Sequence, residues 1–221
     1  MQEKSALCVL LYALLVALAL PTGAAGQAGA AATELFKQAQ DLQQQGKPAE
    51  AAAAFRRACE AGHAEACASL GAMSAEGSGV TQDVRRAAEF YQLACDGGSV
   101  RGCSALGTMY AAGVGVAKYE PRAAELFQQA CEGGFPPACT ALGTRYAQAF
   151  GAERDEPRAA QLYERACKGG DPEGCVNLGV MLRDGTGVHR DRMRAAVLFR
   201  TACDAGFAPG CRYLENSPKK R

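Results

Sequence analysis

The sequence predicts an all-α solenoid of stacked helix pairs, and three observations carry that prediction. Cys59, Cys95, Cys131, Cys167 and Cys203 are spaced by 36 residues each time; Cys67, Cys103, Cys139, Cys175 and Cys211 repeat the spacing, each eight residues after its mate. A strict period in the 20–50 residue range marks supersecondary units that bury a core only against their neighbours. Hydrophobic residues make up 48% of the 221, yet aromatics are only 7% and Trp is absent, so the apolar content is mostly small side chains, Ala above all. Such a composition suits close helix–helix contact rather than a bulky sandwich core. Within each period, apolar residues recur at helical spacing between glycine-marked breaks.

The chain begins with a weak basic region, Lys4 and the free amine, diluted by Glu3. Ala6 to Leu20 then runs for 15 residues without a charge, followed by Pro21 and the small-residue stretch 22–32. This is the layout of a secretory signal peptide. It is assigned to residues 1–30, with cleavage after Gly26 or, at the A-x-A site Ala28-Gly29-Ala30, after Ala30. The apolar run is short of the about 20 residues that span a bilayer, so no membrane anchor is expected after cleavage. Cys8 leaves with the signal, and an even ten cysteines in an exported chain favour disulfides. The expected location is secreted or periplasmic.

Residues 33–63 read as a leading helix pair without a Gly-rich loop. Four full repeats follow at 64–99, 100–135, 136–171 and 172–207, and 208–221 is a truncated last helix with a Lys-rich tail. The fourth repeat shows the pattern. Asp171-Pro172 offers an N-cap and a Pro at the first helical position. Val176, Leu178, Val180, Met181 and Leu182 give an apolar face before Gly185-Thr186-Gly187-Val188 breaks the helix. Asp191 then caps a second helix with a wide apolar face from Ala195 to Cys203, and Gly206 stops it, as do Gly62, Gly98, Gly134 and Gly170 at the matching positions. Gly71, Gly107, Gly143 and Gly179 sit inside first helices at a cost of about 1 kcal/mol each relative to Ala. They are read as contact points where backbones approach closely, with Phe55, Tyr91, Phe127, Tyr163 and Phe199 filling the space between layers.

Charge and cysteine chemistry narrow the function. With 24 basic and 23 acidic residues, the chain lacks the cationic excess of a nucleic-acid binder or a polybasic membrane-surface protein. Two histidines make a His-rich zinc enzyme or a haem protein hard to build.

Leu106-Gly107, Tyr110, Gly113, Gly115 and Val116 follow the pattern Leu-Gly-x-x-Tyr-x-x-Gly-x-Gly-Val and resemble the Sel-1-like repeat, which is related to the tetratricopeptide (TPR) repeat. With a C-x7-C pair in every repeat, the chain is similar over about residues 33–215 to the secreted helical cysteine-rich proteins, the Hcp family. The resemblance implies a right-handed α/α solenoid with disulfides, export, and the penicillin binding and slow β-lactam hydrolysis reported for some members. Two departures stand out. The third repeat replaces the loop with Ala149-Phe150-Gly151-Ala152, and the first and fourth place Ser74 and Leu182 at the Tyr position.

Cysteines with seven residues between them are not at zinc spacing, nor in a redox or haem-attachment motif. Each first cysteine ends a helix and its mate opens the next antiparallel one. The pairs 59–67, 95–103, 131–139, 167–175 and 203–211 therefore face each other across a tight turn, and each closure contributes about 2.5 kcal/mol. No catalytic residue, metal site or cofactor is assigned. The only S-x-x-K is Ser217-Pro218-Lys219-Lys220 in the polar tail, whereas a serine β-lactamase also carries S-D-N and K-T-G. His63 and His189 lie in separate loops.

Two columns bear on binding. Arg86, Arg122, Arg158 and Arg194 read either as a ladder for an extended anionic ligand or as members of helix-start ion pairs, since Asp stands three residues before three of them. On the first helices, Met73, Met109, Arg145 and Met181 share a column beside Ser69, Ala105, Ala141 and Asn177. This face commonly lines the concave side of such solenoids, and Arg145 and Asn177 are the candidate ligand-binding residues. The expected function is a scaffold binding a protein, peptide or cell-wall fragment. A penicillin-binding protein with weak β-lactamase activity is the alternative that the resemblance implies, and an assembly factor of the same repeat class is a third. A monomer is expected, with no nucleic-acid partner.

Overall fold

The computed structural model describes residues 22–215, with side chains from Gly29 onward, and every regular element in that span is a helix. Helices α1 (Thr22–Gln44) and α2 (Pro48–Glu60) form the leading pair. Four further pairs follow: α3 (Ala64–Glu76) with α4 (Val84–Asp96), α5 (Val100–Ala112) with α6 (Glu120–Glu132), α7 (Pro136–Gln148) with α8 (Glu156–Lys168), and α9 (Pro172–Asp184) with α10 (Arg192–Asp204). The short α11 (Ala208–Glu215) stacks on the last pair. Residues 1–21 of the expected signal peptide, Cys8 among them, and the tail with Ser217 lie outside the described residues. Both expected cleavage points fall on α1.

Helix starts follow from local chemistry. Asp83, Asp155, Asp171 and Asp191 each accept a backbone N–H of the following turn, as do Ser99 Oγ and His63 Nδ1. A side-chain oxygen or ring nitrogen there satisfies a donor that the helix leaves unpaired. Tyr119 and Phe135 occupy the same position without a capping bond, and prolines in the first turn help α6 and α7 instead. Each first helix of a repeat ends on a left-handed residue: Gly77, Gly113, Ala149 and Gly185. Ala149, with φ 59°, is the one non-glycine residue with positive φ among the described residues. The departure of the third loop from the glycine pattern therefore leaves the turn intact and places its cost in one alanine.

The mid-helix glycines are contact points. A Cβ on Gly71 would sit 2.8 Å from the Tyr91 ring, and on Gly143 2.8 Å from the Tyr163 ring; Gly107 and Gly179 meet Phe127 and Phe199 in the same way. Each first helix thus presses its backbone against the aromatic ring of its own second helix. The loop glycines tie one repeat to the one before. A Cβ on Gly115 would lie 2.2 Å from the Val84 carbonyl oxygen, and those on Gly79, Gly151 and Gly187 would strike the start of the preceding second helix likewise. Leu70, Leu106, Leu142 and Leu178 are buried between these contacts, each contributing about 1.5–3 kcal/mol by leaving water.

Five disulfides join Cys59–Cys67, Cys95–Cys103, Cys131–Cys139, Cys167–Cys175 and Cys203–Cys211, with Cα separations of 4.5–4.7 Å. Each bridges the end of a second helix to the start of the next first helix, so the covalent links cross every boundary between pairs from α2 to α11. First helices of successive pairs also touch, α3 with α5, α7 with α9 and α9 with α11; among the described residues no two second helices pack to that extent. Elements that sit closer together lie on the inside of a bend. The first helices therefore line the inner face, and the second helices form the outer one.

Candidate functional site

The inner face is a strip of short side chains. Ala68 and Ala72 on α3, Ser104, Ala105 and Thr108 on α5, and Ala141 and Thr144 on α7 leave room that longer residues would fill. Two hollows of about 250 Å³ open on it. One lies between α3 and α5, over Tyr91, with Arg101 and Phe135 at its sides. The other is built on α9 from Val176, Asn177, Val180 and Met181, over Tyr163, with Ala147 of α7 and Tyr213 of α11. Ser104, Ala105 and Thr108 stand 72 residues, two repeats, before Val176, Asn177 and Val180. The hollows share those positions and their tyrosine, but the counterparts of Ala68, Ala72, Arg101 and Phe135 do not line the second, which takes Arg154, Glu156, Met181, Thr186 and Tyr213 instead.

The electrostatics of the floor are mild. Burial pushes both tyrosine hydroxyls up from the usual phenol value, with Glu76 adding to the effect at Tyr91. Both stay neutral hydrogen-bonding groups. Thr144 Oγ1 donates to the Thr140 carbonyl, so the 3.1 Å contact with Tyr163 is a phenol hydroxyl donating to Thr144. Between repeats, Ser99 donates to Glu65 at 2.5 Å and Thr140 donates to Asp171, tying first helices together along this face. Arg101 lies 3.7 Å from Glu65, both at least partly exposed. Glu173, in the column of Arg101, has its carboxyl pushed above the usual range by burial first and by Asp171 second.

The structure separates the two candidate residues. Asn177 lines the α9 hollow. Arg145 instead pairs with Glu120 at 3.5 Å, and its guanidinium lies 5.6 Å from the Phe127 ring centroid and 5.7 Å from that of Phe150. Its side chain is only 16% exposed. Met73, Met109 and Met181 of its column are buried, so the column belongs chiefly to the core and Arg145 is a charge set into it.

The arginine column does not form ion pairs with the aspartates three residues before it. Asp83, Asp155 and Asp191 cap backbone N–H groups, while the guanidinium groups go elsewhere. Arg86 lies over Phe90 and Arg158 over Tyr146; Arg122 pairs with Glu125 and Arg194 with Glu164. The His63 ring caps α3 and stacks on Phe36 with centroids 4.2 Å apart. Among the described residues no three His, Cys, Asp or Glu side chains gather to hold a metal, and no helix is long and apolar enough to cross a membrane.

Helical spacing in the sequence marks Asn177 as a lining residue but gives no such sign for Arg101, Tyr91, Tyr163 or Tyr213. Tyr91 and Tyr163 read from sequence as packing residues because their rings do pack. What makes them a floor is the absence of bulk above them, visible only when α3 and α5 are laid side by side.

Comparison with known proteins agrees with this architecture. The Sel1 repeat model matches residues 64–99, 100–135, 136–171 and 172–207. Among solved structures, the chain is similar to c5321, a protective antigen of uropathogenic Escherichia coli strains with an SLR fold: 28% identity and a TM-score of 0.76, over 83% of this chain and 40% of that one. The chain thus spans less than half the length of that antigen. It is also similar to a Sel1 repeat protein from Oxalobacter formigenes, with 25% identity and a TM-score of 0.79 over 84% of this chain and 77% of that one. Helicobacter pylori cysteine rich protein B matches with 28% identity and a TM-score of 0.49, over 60% of this chain and 96% of that one. No curated protein matches the chain by sequence.

Proposed function

The chain belongs to the Sel1 repeat family, and on that premise we propose that it is an exported, disulfide-stapled scaffold holding an extended segment of another protein along its inner face. One observation carries the reading: two hollows over Tyr91 and Tyr163 that overlap in repeat position, two repeats apart, the first lined by Ala, Ser and Thr and the second by Val176, Asn177, Val180 and Met181. First helices packed at 8–10 Å put these hollows roughly 20 Å apart, a distance that about six extended residues span. A segment with side chains at that interval seats two anchors while its backbone lies over the short residues between them. Arg101 at one hollow and Asn177 at the other supply polar contacts, and a few convergent polar groups around apolar walls are how such sites gain orientation. Five disulfides suit an oxidising compartment, in accord with the signal-like start of the chain.

The test is affinity capture from an extracytoplasmic extract with the disulfide-intact protein, its groove-blocked variant Ala105→Arg with Thr108→Trp, and an outer-face control, Gln92→Arg. Proteins held by wild type and by the control but lost from the blocked variant support the reading. Equal capture by all three refutes it. Nitrocefin turnover by the same three preparations measures the lactam activity that the Hcp resemblance implies.

A further inference from the structure

We infer that the Cys203–Cys211 disulfide is a redox latch: a dithiol reductant opens it ahead of the other four, and α11 then leaves the stack. The latch stands apart from the reading given to the inner groove, although its opening removes one wall of the α9 hollow.

Access separates this disulfide from the rest. Cys67, Cys103, Cys139 and Cys175, near the starts of α3, α5, α7 and α9, are each no more than 4% exposed, and Cys95 and Cys131 are buried as well. Four disulfides are therefore buried at one end or at both. In the fifth, Cys203 and Cys211 are both partly exposed. Packing within the repeat gives the reason. Cys67 lies in one cluster with Ala94 of α4, the second helix of its own repeat. Cys211 holds the same position on α11, and among the described residues no second helix covers it. Exchange requires a thiolate to reach a sulfur, and exposed disulfides are the labile ones.

α11 is also held by little else. Gly210 is its one buried residue, whereas α9 buries seven. It packs on α10 and, more lightly, on α9. The Tyr213 ring stacks on Phe199 with centroids 5.0 Å apart and has the Arg183 guanidinium 5.3 Å from its centroid. Phe207 and Leu214 sit at the edge of the same core. A helix this short has no stability of its own, and a unit at the end of a stack has a neighbour on one side only. With the disulfide broken, these partly exposed contacts do not offset the conformational entropy of the segment.

The exchange balances with a dithiol as reductant. One of its thiolates attacks the sulfur of Cys203 or Cys211, the S–S bond breaks, and a mixed disulfide forms. The electron pair leaves on the second cysteine sulfur, which takes up a proton. The remaining thiolate of the reductant then displaces the attacked cysteine, which is protonated in turn. Two electrons and two protons pass to the cysteine pair, and the dithiol becomes a disulfide. Departure of α11 takes Tyr213 from the α9 hollow and uncovers the Phe199 ring, while the hollow between α3 and α5 keeps its walls.

Reduction of the native protein with dithiothreitol, quenched at intervals with iodoacetamide and mapped by peptide mass, tests the first step. Cys203 and Cys211 should be alkylated about tenfold faster, or more, than any other cysteine. Hydrogen exchange of protein reduced at that pair alone tests the second step. The α11 amides should exchange about tenfold faster, or more, than in the oxidised protein, while α3 to α9 keep their protection. Oxidised dithiothreitol should restore the slower exchange. Cys203→Ser with Cys211→Ser should show the same fast exchange in α11 with its other four disulfides formed. Earlier opening of another pair, or concerted opening of all five, overturns the inference. So does α11 exchange that is the same before and after reduction of that pair.

Discussion

Ala149 holds φ 59° where three other repeats place glycine, and a Cβ in that region costs about 1–2 kcal/mol. Ala149→Gly should therefore raise the unfolding free energy by about 1 kcal/mol, the gain reduced by the greater freedom of glycine in the unfolded chain; guanidinium denaturation of the oxidised protein measures it. Glu173 gives a pH-dependent counterpart. Its folded carboxyl holds its proton more tightly than an unfolded one, because of burial and then Asp171. Its contribution is full below the ordinary carboxylate range and is lost as pH rises through the raised folded value. Glu173→Gln should match wild type in melting temperature near about pH 3 and exceed it at neutral pH. The sequence marked Ala149 as a departure but not as the bearer of a left-handed turn. It marked Arg145 as a charge in a methionine column, but Glu120 and the rings of Phe127 and Phe150 come to it from other elements, and spacing within one helix carries no trace of them.

Helices were the most legible level because their boundaries are written in single residues. Asp, Ser and Pro begin them, Gly ends them, and a period of 36 residues repeats the instruction. Where the code lapses, the effect is local. Tyr119 stands at the cap position of α6 with no capping bond and is 57% exposed. Tyr119→Asp should restore the cap present in the neighbouring repeats and stabilise the protein by about 1 kcal/mol, read from the shift in the denaturation midpoint at unchanged slope. The arginine column was legible only in part. Its regularity was evident, but whether each guanidinium meets a ring or a carboxylate depends on residues such as Phe90, Tyr146, Glu125 and Glu164, which differ between repeats. Regular spacing fixes where a side chain starts, not what it meets.

The molecule as a whole is a stack whose stability is close to a sum over repeats and their interfaces. Every disulfide lies at one of those interfaces, so Cys131→Ala with Cys139→Ala should cost about 2.5 kcal/mol or more and weaken the centre of the stack first, as hydrogen exchange of α6 and α7 would register. Local pairing followed from the repeat because each cysteine pair spans one short turn. The groove did not, since it arises between repeats rather than within one. The bend that brings α3 beside α5 and α9 beside α11 turns a column of alanines and threonines into an inner face with Tyr91 and Tyr163 beneath it. The proposal that the inner face is the surface offered to a partner is tested most directly by site-specific photo-crosslinking. With benzoylphenylalanine placed in turn at Thr108, Val180 and Gln92 of the disulfide-intact protein, one partner protein should be captured from Thr108 and Val180 and not from Gln92, through peptides of that partner separated by about six residues. Capture from Gln92 with none from the two inner positions would contradict the account.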